Sequence, residues 1–89
     1  MLISAEQAKA LLKRGATLLD VRTDLEVKTL GADPRALHIP SAELDKRTPE
    51  LPDKNKDIVI YCNTGQRARA AAEKLKRFGY SKVHYIAGS

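Results

Sequence analysis

Ile58-Val59-Ile60-Tyr61-Cys62-Asn63-Thr64-Gly65-Gln66-Arg67-Ala68 decides the fold. The first four residues form a continuous apolar run, the pattern of a parallel strand covered on both faces. Ala68, Ala71, Ala72, Leu75 and Phe78 then recur at helical spacing, and Gly79 ends the run. A strand therefore passes into a helix within a few residues. Cys62 stands at the strand's carboxyl end.

Outward from this unit, the remaining chain alternates in the same way. Ser4 with Gln7 is a capping-box pattern, and Ala5, Ala8, Leu11 and Leu12 then share a helical face that Gly15 stops. Thr17 to Val21 reads as a buried strand, with Asp20 and Arg22 at its end. Asp24 is placed to cap a short helix through Thr29. Gly31 to Pro40 reads as loop, with a short strand over Leu37 to Ile39. A helical turn near Glu43 and a charged surface loop follow, and Val83 to Ile86 is the last strand. The order is strand, helix, strand, short helix, strand, loop, strand, helix, strand. Such alternation predicts an α/β fold with a mainly parallel sheet and helices on both faces. Sites in such sheets form beyond the carboxyl ends of the strands, where Asp20-Val21-Arg22 and Cys62 both fall.

The bulk numbers bound the function. The chain has 89 residues, enough for one domain with a modest stability margin. Hydrophobic residues make up 43% and charged residues 30%, a soluble globular balance. No apolar run approaches the roughly 20 residues of a membrane helix, and no secretory signal pattern opens the chain. One cysteine excludes an internal disulfide and a Cys-rich metal cluster. A reduced, cytoplasmic setting is expected, with no membrane partner. Net charge is +5, but one Phe, three Tyr and no Trp leave little material for base stacking. No nucleic-acid partner is expected; the charges read as solvated helix faces with a general attraction for small anions.

The loop after Cys62 has a physical task. Gly65 supplies the positive φ of a tight curl. Successive backbone N–H groups then share one concavity with the positive end of the helix macrodipole, and Arg67 adds a full charge. Anions are attracted there, and a thiol so placed ionises readily. The same donors can hold a substrate's oxyanion.

Four stretches carry a family resemblance. Cys62-Asn63-Thr64-Gly65-Gln66-Arg67-Ala68 resembles the active-site pattern of single-domain rhodaneses: Cys, two residues, Gly, one residue, Arg and a small residue. Leu18-Leu19-Asp20-Val21-Arg22 with Glu26 resembles the family's Asp-Val-Arg strand end and following glutamate. Gly31 to Ala36, Ile39-Pro40 and Glu43-Leu44 match a further stretch in order and spacing. Phe78-Gly79-Tyr80 and Val83 to Gly88 fit the helix end, last core strand and glycine turn. Two positions depart: Ala32 replaces the usual histidine and Asp33 the usual isoleucine. Family members also usually continue into an apolar closing helix where this chain ends at Gly88-Ser89. A single domain over 1–89 without that helix is expected.

The resemblance implies a rhodanese-like three-layer α/β/α fold with a small, mainly parallel sheet of four to five strands. It also implies a thiosulfate sulfurtransferase. Catalytic roles fall to Cys62 and Arg67, and substrate binding to Asn63, Thr64, Gly65, Gln66 and Arg22. Cys62 takes the outer sulfur of a donor such as thiosulfate and passes it to cyanide or a thiol, with no metal or organic cofactor. The partners are then a small anionic sulfur donor, a thiol or cyanide acceptor, and in one version an acceptor protein; a monomer is expected. Arg22 lines the site or pairs with Glu26, Asp20 is structural, and His38 and His84 lie at the surface. A sulfur-relay protein and a non-catalytic rhodanese-like binding module are the alternatives within the family. A Cys-dependent phosphatase or arsenate reductase fits worse: four residues separate Cys62 from Arg67, one fewer than those loops need, and Ala68 stands where their arginine falls.

Overall fold

The computed structural model describes residues 1–63 and 65–87. Five strands, β1 (Leu2–Ile3), β2 (Thr17–Asp20), β3 (Leu37–His38), β4 (Ile58–Tyr61) and β5 (Val83–Ile86), form one sheet in the order β1-β5-β4-β2-β3. Every pairing is parallel, so the expected mainly parallel sheet is wholly so among the described residues. Three helices accompany it: α1 (Ala5–Lys13), α2 (Asp24–Leu30) and α3 (Gln66–Arg77). Two 3-10 turns, Ser41–Lys46 and Thr48–Glu50, occupy the charged segment after β3.

The apolar runs are continuous because the central strands serve two cores. Leu19, Ile58 and Ile60 join Ala68, Ala71, Ala72 and Leu75 of α3 in the larger cluster. Their strand neighbours Leu18 and Val59 face the other way and pack with Ala8, Leu11 and Leu12 of α1. Alternate residues of a strand point to opposite faces, so two-sided cover demands apolar residues at consecutive positions. Leu19, Val59, Ile60 and Leu75 are fully buried. The result is the expected three-layer α/β/α arrangement.

Pairing of β4 with β2 aligns Tyr61 with Asp20. The carboxyl ends of the two central strands therefore sit side by side. Cys62 and Arg22 leave the sheet at neighbouring positions for that reason.

Some local expectations need correction. Thr23, not Asp24, caps α2: its hydroxyl accepts the Glu26 N–H at 3.2 Å, and Glu26 reaches back to the Thr23 N–H at 3.0 Å. Phe78 is 39% exposed because it is the residue at which the chain leaves α3. Tyr80 fills the core instead, its hydroxyl donating to the Leu51 carbonyl at 2.6 Å. Ala5 stays exposed on α1. The glycine turn expected at Gly88 lies outside the described residues.

Candidate functional site

Cys62 follows β4, and its side chain lies under the start of α3. Its Sγ accepts two backbone hydrogen bonds, from Gly65 N–H at 3.1 Å and from Ala68 N–H at 3.2 Å. The Gly65 donor is available because the chain turns there at φ 85° and ψ −18°, the left-handed region that glycine enters without a Cβ penalty. The Ala68 donor is one of the first N–H groups of α3, which no carbonyl within the helix can satisfy. Two aimed donors at a helix N-terminus favour negative charge on the sulfur and on whatever it comes to carry. Cys62 itself is fully buried.

Five of the other six expected site residues, Arg22, Asn63, Gly65, Gln66 and Arg67, lie among the described residues. Asn63 is half-buried, Gln66 is exposed as the first residue of α3, and Gly65 is buried. Thr64 lies outside the described residues. Arg67 has a side chain 34% exposed, and its partner is Glu26 of α2. Nη1 donates to Oε1 at 2.5 Å and Nη2 to Oε2 at 2.7 Å. Glu26 Oε2 also accepts Asn63 Nδ2–H at 2.6 Å. One carboxylate thus ties the residue after Cys62 to the first turn of α3. The hydrogen bonds from Arg67 hold the Glu26 carboxyl down at about 2, with the Thr23 N–H adding to the effect. In return the hydrogen bonds to Glu26 raise Arg67, against a smaller opposing effect of burial.

Arg22 does not pair with Glu26. Asp20 takes it instead, with Nε at 3.1 Å from Oδ1 and Nη2 at 2.9 Å from Oδ2. Nη2 also donates to the Gly31 carbonyl at 2.7 Å, and the guanidinium lies 5.5 Å from the centre of the Tyr61 ring. Its link to the loop is a 3.5 Å contact from Nη1 to Asn63 Oδ1. Asp20 is fully buried and accepts from Arg22 and from the Tyr61 hydroxyl at 2.9 Å. Burial pushes its carboxyl up, but the Arg22 and Tyr61 hydrogen bonds outweigh this and leave it below the usual range. This is a structural ion pair beneath the site, braced by an aromatic ring.

His38 and His84 are half-buried rather than loose on the surface. His38 Nε2 lies 2.7 Å from the Arg22 carbonyl oxygen, and His84 Nε2 lies 3.0 Å from Asp57 Oδ1. Neither bonds Cys62. Among the described residues no group of three or more His, Cys, Asp or Glu side chains gathers for a metal ion. No helix among them is long and apolar enough to cross a membrane. A groove of about 540 Å³ opens on the α1 side between Leu12, Leu18, Val59, Tyr61 and Ile86; Cys62 is not among its lining residues.

The roles of two residues that the resemblance already marks escape a reading of side chains along the chain. Ala68 contributes only its backbone N–H, and its signal is its place as the third residue of a helix that starts beside the cysteine. Glu26 contributes across 41 positions of sequence. Its local signal is the capping box with Thr23, which says nothing of Arg67.

The chain is similar to several known proteins. The chain is 39% identical over 66 residues to the putative sulfur carrier protein YrkF of Bacillus subtilis, covering 74% of this chain and 35% of that protein. It is 35% identical over 86 residues to the thiosulfate sulfurtransferase GlpE of Pseudomonas syringae, covering 97% of this chain and 79% of that protein. The chain therefore spans about a third of the length of the first of these curated relatives. Among solved structures, the human single-domain sulfurtransferase TSTD1 superposes with a TM-score of 0.85 at 28% identity, covering 99% of this chain and 89% of that one. A family model described as the rhodanese-like domain matches residues 4–89. The parallel sheet, the cysteine loop at its carboxyl edge and this match agree: the chain belongs to the rhodanese-like domain family.

Proposed function

We propose that residues 1–89 act as one domain that moves sulfane sulfur from a donor such as thiosulfate to a thiophilic acceptor, through a persulfide on Cys62. The observation that carries this reading is the pair of N–H groups, Gly65 and Ala68, aimed at Sγ at 3.1 and 3.2 Å. In the first step the Cys62 thiolate attacks the outer sulfur of thiosulfate. A sulfur–sulfur bond forms to Cys62, the donor's sulfur–sulfur bond breaks, and sulfite leaves with the electron pair. In the second step cyanide or a thiolate attacks the terminal persulfide sulfur. Thiocyanate or a new persulfide leaves, and the Cys62 thiolate is restored. This is covalent, ping-pong catalysis.

The resting persulfide is an anion whose terminal sulfur needs donors where charge develops. The backbone N–H groups from Asn63 to Arg67, with Ala68 added, supply that role in this proposal. Arg67 closes the loop through Glu26, Arg22 supports it through Asn63, and Gln66, exposed at the start of α3, borders the entry. Because Sγ is fully buried, the donor's approach requires the cover over it to yield. The relatives described as sulfurtransferases support the chemistry, and the one described as a sulfur carrier supports a version in which the acceptor is a protein.

The test is an intact-mass measurement after incubation with thiosulfate. A gain of one sulfur atom is expected, removed by cyanide and absent in Cys62→Ala. No adduct from thiosulfate, a thiosulfonate or a thiol persulfide sinks the proposal.

A further inference from the structure

The arginine that the loop offers to an incoming anion is already engaged. Both terminal nitrogens of Arg67 meet Glu26, at 2.5 and 2.7 Å. Glu26 is held by four further contacts, from Asn63 Nδ2 at 2.6 Å, Thr23 N–H at 3.0 Å, the Thr23 hydroxyl at 3.1 Å and its own N–H to that hydroxyl at 3.2 Å. Such a carboxylate does not swing away to make room. With its carboxyl held at about 2, it is charged at neutral pH. Arg22, the other cation near the loop, is matched by Asp20 in the same way. Among the described residues these two cations beside the Cys62 loop are therefore each cancelled by a carboxylate, and the backbone dipoles at Sγ are left to favour an anion.

We propose that Glu26 is a specificity-determining residue of the Cys62 site: its fixed carboxylate cancels the Arg67 charge and weakens the preference for a doubly charged over a singly charged sulfur donor. This rests on the sulfurtransferase reading for the word donor, but not for the charge selectivity itself. A thiosulfate dianion meets a neutral Glu26–Arg67 pair, not a bare guanidinium. A thiosulfonate, with the same sulfane sulfur and one charge fewer, loses less from that cancellation. Replacing Glu26 by glutamine keeps the side chain's size and one accepting oxygen while leaving Arg67 uncompensated.

The experiment compares two alkylating reagents of matched size on Cys62, iodoacetate and iodoacetamide. In each the thiolate supplies the electron pair of the new sulfur–carbon bond and iodide leaves with the old one. Glu26→Gln is expected to raise the rate ratio of iodoacetate to iodoacetamide about five- to tenfold, the order set by one unit charge at a half-exposed site. Glu26→Asp, which keeps the charge, is expected to hold the ratio within about twofold of the parent. A looser loop alters both reagents alike, so the ratio separates charge from structure. In a second arm, persulfide formation from thiosulfate and from benzenethiosulfonate should show the same relative gain for the dianion in Glu26→Gln. An unchanged alkylation ratio in Glu26→Gln overturns the proposal, and so does an equal rise in Glu26→Asp. An altered ratio with no sulfur taken from either donor retains the charge selectivity and overturns the sulfur-donor reading instead.

Discussion

Glu26 and Arg67 meet end-on across 41 positions of sequence, Oε1 to Nη1 at 2.5 Å and Oε2 to Nη2 at 2.7 Å. The contact joins the first turn of α2 to the first turn of α3. Two helix N-termini that flank neighbouring strand ends are thereby locked together over the cysteine. Helix N-termini favour carboxylates, so Glu26 gains from its own helix as well as from Arg67.

The pair should persist far into acid. Arg67 holds the Glu26 carboxyl at about 2, against an ordinary value of 4.5. A depressed carboxyl contributes stability that is fully present above its unfolded value and lost as pH falls through its folded value. The difference in melting temperature between the parent and Glu26→Gln should stay constant from pH 7 to about 5 and shrink between about 4.5 and 2. Asp33, also held at about 2 through Arg35, is present in both proteins and cancels. A difference that does not narrow in that window refutes the assignment.

Removing Arg67 has a different consequence from removing Glu26. In Arg67→Ala the Glu26 carboxylate is left uncompensated beside the reacting sulfur. Persulfide formation from thiosulfate should fall at least about tenfold, as expected for an added repulsion at close range. Adding Glu26→Gln to that variant should return part of the lost rate, because the repelling charge is gone. The two substitutions are thus non-additive, as for groups in direct contact. Single-turnover mass measurements read this directly. A double variant slower than Arg67→Ala alone contradicts it.

Beneath the loop the balance is one of stability. Arg22 is 8% exposed and Asp20 fully buried, so neither can be left unpaired cheaply. Asp20→Ala should destabilise the fold by about 3–5 kcal/mol, the cost of stranding a buried charge. Tyr61→Phe removes one hydrogen bond to Asp20 and should cost about 1 kcal/mol. Urea midpoints measure both. Equal losses for the two would mean that Arg22 finds another partner when Asp20 is gone.

How far the chain could be read follows from where each signal is stored. The β4–Cys62–α3 unit is legible because its information is local: an apolar run, a glycine at positive φ and a helical stripe. Leu18 and Leu19, or Val59 and Ile60, likewise declare two-sided burial by standing next to each other. Arg22 misleads because Glu26 lies at helical spacing from it, yet Arg22 precedes α2, and the strand-end carboxylate of Asp20 is two residues away. Phe78 continues the stripe of α3, but the chain leaves the helix at that residue and Tyr80 takes the buried place. The Glu26–Arg67 pair is invisible locally, since it exists only once β2 and β4 lie side by side. Ala68 is missed for a different reason: its contribution is an N–H, which every residue but proline carries.

Gly65 offers the sharpest local test of the loop. Its φ of 85° is costly for any residue with a Cβ. Gly65→Ala should therefore destabilise the protein by about 1–2 kcal/mol if the backbone keeps its path. If the backbone relaxes, that cost is avoided, but the Gly65 N–H turns away from Sγ and one of the two donors is lost. The first route lowers stability alone; the second lowers persulfide formation, by roughly a hundredfold for the loss of one donor of this kind. Gly65→Asn discriminates between the routes, because asparagine enters the left-handed region more readily than alanine. It should retain more of both the midpoint and the rate. A Gly65→Ala protein with parental stability and parental persulfide formation means that the turn at Gly65 has no part in holding the sulfur.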